Sequence, residues 1–262
     1  MDHGVGSAVR GVHQGEVGVR HSPAALARAG VGQDGPVELA KRCLDVGLYT
    51  EDLDAHRRFW EVELGLPYEG FQKLGGGVRQ HRFGVHGSVL KVNHARDPLP
   101  DQPGGLRRIT VATDRAPAPT DLVDPDGTPV RLVPVGLGGV TALAIELATD
   151  DVGAARRWWV DGIGAEQIDD EAVRVGTTVV HLVAEPARAP TGPMKARGLR
   201  YLTAQVTDVV AEHDRLVGLG VEAPMAPTRL GDTAAIAFVR TPDGDWLELS
   251  QRADLTGPLP DI

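Results

Sequence analysis

The chain of 262 residues sets 27 Lys and Arg against 36 Asp and Glu, for a formal charge of -9, and has no basic run interleaved with aromatics. That balance argues against nucleic acid as a partner. A single cysteine, Cys43, excludes an internal disulfide and a Cys-rich zinc site; just ahead of an apolar strand pattern, it reads as an inert buried thiol.

Residues 1–41 are rich in Gly and lack a sustained period, so they read as a flexible extension in which His3, His13 and His21 are solvated. No continuous apolar stretch of signal-peptide or membrane-span length occurs there, and the expectation is a cytoplasmic, bacterial-type protein with no membrane partner. From residue 42 the chain repeats a plan. The segments "LDVGLYTED", "LRRITVATD", "ALAIELATDD" and "LRYLTAQVTD" are short alternating strands that end in Asp. Three of them run into helical patterns that begin at Asp52, Asp151 and Asp208 as N-caps and finish at Gly. The helices opening "DLDAHRRFW" and "DVGAARRWW" match each other, and Trp60, Trp158 and Trp159 read as core. After the second strand comes "DRAPAPTDLV", too short and too rich in Pro for a helix, so that unit lacks a helix and the strand after it.

Two Pro-Asp-Gly turns, in "VDPDGTPVRL" (123–132) and "RTPDGDWLEL" (240–249), each lead into an alternating strand, and the Gly-rich "VGLGGV" at 135–140 reads as a linker. The expected domains are therefore 42–136 and 140–252, followed by a tail at 253–262. Alternation places Tyr201, Thr203 and Gln205 opposite Leu202, Ala204 and Val206, and Trp246, Glu248 and Ser250 opposite Leu247 and Leu249. The same parity turns His181, Ala144 and Glu146 inward. His56 and His213, beside charged neighbours on helices, read as solvated.

The helix openings and the closing "PDGDWLEL" resemble the vicinal oxygen chelate superfamily, which includes glyoxalase I, bleomycin resistance proteins and extradiol dioxygenases, over residues 42–252. The resemblance implies an α+β fold of four βαβββ-type units, the second truncated, paired into two curled-sheet cups with metal ligands on the first and last strands of each unit. Glu248 falls where the family keeps its metal-binding carboxylate. The other matching positions of the C-terminal half hold Ala144, Tyr201 and His181, so the two-His, one-carboxylate iron set is incomplete and ring cleavage is disfavoured. A divalent ion such as Zn, Ni or Mn would rest on His181 and Glu248, with help from Glu146. The N-terminal half holds Asp45, Lys91, Arg108 and Arg131. There, Arg108 and Arg131 would clamp a substrate anion, or the four would form an internal ion-pair cluster.

The function implied is a glyoxalase-like lyase or isomerase acting on a small organic metabolite. Glu248 serves as base, His181 as its acid or orienting partner, and Tyr201 as donor to an oxyanion, with Trp246, Gln205, Glu146, Arg108 and Arg131 binding substrate. The alternative is a binding protein that sequesters a small molecule. The protein is expected to be a monomer or a homodimer with a small-molecule ligand.

Overall fold

The computed structural model describes residues 35–262. His3, His13 and His21 and the extension up to residue 34 lie outside the described residues. The first unit runs β1 (Leu39–Thr50), α1 (Leu53–Arg57, widening to a π-type winding over Arg58–Glu63), β2 (Tyr68–Gly75), β3 (Val78–Val85) and β4 (Ser88–Ala95). The second is β5 (Leu106–Ala112), β6 (Thr120–Val123) and β7 (Pro129–Val133), with neither the helix nor the third returning strand. The third comprises β8 (Leu143–Thr149), α2 (Val152–Arg157, widening over Trp158–Ile163), β9 (Glu166–Gln167), β10 (Ala172–Val175) and β11 (Thr178–Ala184). The fourth is β12 (Gly198–Val206), α3 (Val209–Gly218), β13 (Met225–Leu230), β14 (Ala234–Arg240) and β15 (Trp246–Arg252), and a short α4 (Ala253–Thr256) follows.

The Asp caps form as the sequence predicts. Asp52 accepts from the Ala55 N–H at 2.9 Å, Asp151 from Ala154 at 2.9 Å, and Asp208 from both Val210 and Ala211 at 3.0 Å. Each carboxylate satisfies N–H groups that the first helical turn leaves without partners. The Pro-Asp-Gly turns also form, with Gly127 and Gly244 at φ 89 and 79, the left-handed region that a side chain would disfavour.

The units pair in an interleaved order. One sheet runs β13-β14-β15-β12-β1-β4-β3-β2 and joins the fourth unit to the first; the other runs β6-β7-β5-β8-β11-β10-β9 and joins the second to the third. The seams are antiparallel, β1 against β12 and β5 against β8. The boundary between 42–136 and 140–252 is thus not the boundary between the sheets. The fold also begins before residue 42: Val37 is buried, and its N–H bonds to the Ile163 carbonyl at 3.0 Å.

Alternation on both sheets sends one face to a shared core. Leu44, Val46, Leu48, Leu202, Leu247 and Leu249 from the first sheet meet Ile109, Ile145, Leu147 and Val180 from the second, with Trp60, Trp158 and Trp159 packed among them. Consecutive Trp158 and Trp159 are both buried and meet edge-on at 5.1 Å. Neighbours on a helix point about 100° apart, so a wide arc of this helix must be covered. Where the second unit lacks its helix, a cavity of about 240 Å³ opens between the end of the first helix (Leu64, Leu66) and Val111 and Leu132 of the second sheet.

One histidine departs from its expected place. His56 is fully buried, because the helix turns it inward to the Pro-Asp-Gly turn of the second unit. Trp60 donates its indole N–H to His56 Nδ1 at 3.1 Å, which leaves Nε2 to carry the proton toward Asp126 at 3.0 Å. Burial would raise the Asp126 carboxyl, but hydrogen bonds from His56 and Thr50 outweigh it and hold the group below the usual range. His213 is half-buried beside Asp214. Cys43 is buried as expected, and desolvation pushes its thiol up.

Candidate functional site

The concave face of the first sheet collects the polar alternates of six strands. Asp45 and Tyr49 come from β1, Gln80 from β3, Lys91 and Asn93 from β4, Tyr201, Thr203 and Gln205 from β12, Phe238 from β14, and Trp246 and Glu248 from β15. Strand register sets their neighbours: Gln80 lies opposite Asn93, Thr203 opposite Glu248, and Glu248 opposite Phe238. Gly47 on β1 lies opposite Tyr201, and a Cβ there would fall 2.1 Å from the phenol ring, so a glycine is required for Tyr201 to lie down in the cup.

A buried ion pair holds the floor. Lys91 Nζ donates to Glu248 Oε2 at 2.7 Å and to Thr203 Oγ1 at 2.8 Å, while the Thr203 hydroxyl donates to the same Oε2 at 2.7 Å. Lys91 is 3 % exposed and Glu248 7 %. Desolvating two such charges is tolerable only when they neutralise and hydrogen-bond each other. Glu248 Oε1 makes no hydrogen bond to any described residue, so the carboxylate is anchored by one oxygen and presents the other.

Tyr201 is fixed by a chain of amides whose orientation the backbone dictates. Asn93 Nδ2 donates to the Leu48 carbonyl at 2.9 Å and to the Tyr201 oxygen at 3.0 Å, which leaves Asn93 Oδ1 to accept from Gln80 Nε2 at 3.1 Å. Gln80 Nε2 also reaches the Tyr201 oxygen at 3.3 Å. The phenol therefore accepts from two amides, and its own hydrogen has no acceptor among the described residues. Burial, and then the charge of Glu248, push the Tyr201 phenol well above its ordinary value. Tyr49 is pushed up to about 12 by burial and by Glu248. Both phenols are neutral donors across the physiological range.

Above the floor, Tyr49, Tyr201, Phe238 and Trp246 form an aromatic chain with ring centroids 5.9–6.4 Å apart, and Met194, Met225 and Leu99 pack against it. The segment 184–198 is tied down beside Trp246, whose indole N–H donates to the Gly192 carbonyl at 3.3 Å. Buried Asp245 accepts from Arg188, Thr191 and the Gly105 N–H. Burial raises the Asp245 carboxyl against the lowering effect of Arg188. Asp45, at the other end of the cup, accepts from Lys41, the Val89 N–H and Gln205.

Of the residues singled out in the sequence, Glu248, Tyr201, Trp246 and Gln205 share this cup. The others do not. His181 lies on β11 of the second sheet, beside Ala172 and Glu146 in register, so it cannot partner Glu248 on β15 of the first. The expected His181 and Glu248 metal pair is separated for the same reason. Glu146 is engaged by Arg108 at 2.8 Å, and Arg131 pairs through two nitrogens with Asp121 at 2.7 and 2.8 Å. The proposed cluster of Asp45, Lys91, Arg108 and Arg131 is therefore divided between two sheets, and neither arginine reaches the first cup. Thr203, on the face that alternation gave it, and Lys91, expected in a separate N-terminal cup, complete the site together with Asn93 and Gln80, which the sequence reading missed. Polar residues at alternate positions of "RQHRFG" and "LKVNHA" were the available signal, legible only once the first unit is known to face the fourth.

The donor set does not fit the divalent metal that the fold family implies. Among the described residues no three His, Cys, Asp or Glu side chains converge, and an ammonium already sits 2.7 Å from the Glu248 carboxylate.

Residues 141–249 match the model of the Glyoxalase/Bleomycin resistance protein/Dioxygenase superfamily. Among solved structures, glyoxalase I from Zea mays superposes with a TM-score of 0.65 at 15% identity, over 82% of this chain and 93% of that one. A putative dioxygenase from Bacillus subtilis superposes with a TM-score of 0.62 at 12% identity, over 83% and 86% respectively. Identities this low establish the shared fold alone. No curated protein matches the sequence. Residues 141–249 thus match the superfamily of glyoxalases, bleomycin resistance proteins and dioxygenases, and the paired curled sheets share the fold of glyoxalase I.

Proposed function

We propose that the first cup binds a small organic carbonyl compound and moves a proton on it without a metal, as a glyoxalase-like lyase or isomerase. The observation that carries this reading is the geometry of Glu248: Oε2 is fixed by Lys91 and Thr203, and Oε1 is uncommitted on a sheet face that also holds an unsatisfied Tyr201 hydroxyl hydrogen. A carboxylate held in one orientation suits a general base, and a neutral phenol whose hydrogen is uncommitted suits donation to the oxygen that gains charge. Tyr49, Phe238 and Trp246 would hold an apolar or aromatic flank of the ligand. The superfamily assignment supports such a role at the level of the family.

The test is deuterium incorporation at carbon next to the carbonyl of hydroxyacetone, acetoin and phenylpyruvate in D2O, followed by proton NMR. Exchange by the protein on at least one probe, lost in Glu248→Gln while calorimetric binding of the same probe persists, is the expected result. The buried ion pair in the floor also favours a second reading, a protein that holds such a ligand without turning it over. Tight binding with no exchange, altered only modestly in Glu248→Gln, would select that reading over catalysis.

A further inference from the structure

The floor of the first cup has an unusual occupant. Lys91 comes from β4 of the first unit, Glu248 from β15 and Thr203 from β12 of the fourth, so strands from both units that form the sheet converge on one ammonium group. A lysine on a surface needs no such arrangement, and a lysine in a core is costly unless its charge is used or balanced. Two of its three N–H bonds are accounted for by Thr203 and Glu248. The third has no acceptor among the described residues, and Nζ stands 5.6 Å from the centroid of the Tyr201 ring, within the aromatic cup.

We infer that Lys91 is a built-in cation that takes the metal's place in this cup, and that it acts as a catalytic residue by stabilising the oxyanion formed when Glu248 removes a proton; the second half of the inference rests on the function proposed above. The step is balanced within the site. The C–H bond next to the substrate carbonyl breaks, its proton passes to Glu248 Oε1, and the electron pair moves onto the carbonyl oxygen, which receives the free Lys91 N–H and the Tyr201 O–H. Return of the proton from Glu248 to the same carbon on either face completes an epimerisation; where that carbon bears a hydroxyl whose proton passes to the former carbonyl oxygen, return of the proton to the former carbonyl carbon completes an isomerisation, and neither course needs an external oxidant. The substrate class is a small carbonyl compound with an acidic neighbouring C–H. Fixing the cation covalently removes any dependence on metal supply, and it also pins the base, because the same ammonium holds Glu248 Oε2.

Two experiments on the full chain test this. In the first, wild type, Lys91→Glu, Lys91→His and Glu248→Gln are titrated with Zn2+ and Ni2+ by calorimetry and followed by thermal shift. Wild type is expected to take up no metal in the cup. Lys91→Glu, which sets a second carboxylate beside Glu248, is expected to bind one divalent ion per chain and to gain thermal stability from it. Lys91→His carries the same expectation should Lys91→Glu not fold. Stoichiometric uptake by wild type that Glu248→Gln abolishes, or a folded Lys91→Glu or Lys91→His that binds no metal, would overturn the inference.

The second experiment repeats the hydroxyacetone exchange with Lys91→Met, with and without EDTA. A fall of about 100- to 1000-fold, with no effect of EDTA on wild type, is expected for the loss of an oxyanion donor. Exchange that survives in Lys91→Met but is lost in Glu248→Gln would overturn the catalytic role of Lys91 and leave the Glu248 reading standing. Absence of exchange in wild type on every carbonyl probe would overturn the catalytic reading itself, and the metal titration alone would then decide whether Lys91 holds the cation seat.

Discussion

At the scale of single residues, the site is built from groups whose burial would be unfavourable anywhere else. Tyr49 and Tyr201 illustrate the consequence for pH. In the unfolded chain a tyrosine ionises near 10, whereas in the fold burial and Glu248 push both phenols up, Tyr49 to about 12. The neutral phenols therefore contribute stability that is present below about pH 10 and is lost as pH rises through their folded-state range, at about 1.4 kcal/mol per pH unit for each group. Chemical denaturation between pH 9 and 12 should show stability falling faster in wild type than in the Tyr49→Phe, Tyr201→Phe double variant. Equal slopes would place both phenols in contact with water. The sequence reading recognised Tyr201 as a donor but not the amides that orient it, since nothing in "KVNHA" says that Asn93 meets a residue more than a hundred positions away.

At the scale of elements, much was legible. The Asp N-caps, the Pro-Asp-Gly turns, the absent helix of the second unit and the buried tryptophans are local, and local chemistry is written in neighbouring residues. Asp208 opens α3 and accepts from two N–H groups, so Asp208→Ala should destabilise the protein by about 0.5–2 kcal/mol, readable as a lower denaturation midpoint at unchanged slope. A midpoint identical to wild type would mean that the cap is replaced by water without loss. His56 is where local reading failed. Its charged neighbours in "DAHRR" suggested solvent, but the Pro-Asp-Gly turn of the second unit closes over it, and sequence distance concealed that contact.

At the scale of the whole molecule, the four units were countable but their pairing was not. Adjacent units in the chain look like natural partners, and on that reading His181 and Glu248 share a cup. The sheets instead join first to fourth and second to third. Alternation fixes which face a residue takes, but it carries no information about which of several similar strands lies alongside. That single difference removes His181 from the site, brings Lys91 into it, and turns an incomplete metal centre into an ion pair between β4 and β15. The most direct test is a double-mutant cycle on Lys91 and Glu248, using Lys91→Met and Glu248→Gln, with stability read by urea denaturation. Each single change leaves a buried charge or polar group without its partner, and the account predicts a coupling of about 1–3 kcal/mol, the double variant being more stable than the sum of the single losses implies. Additive effects, with no coupling beyond error, would mean that the two side chains do not meet and that the cup is not assembled from the first and fourth units.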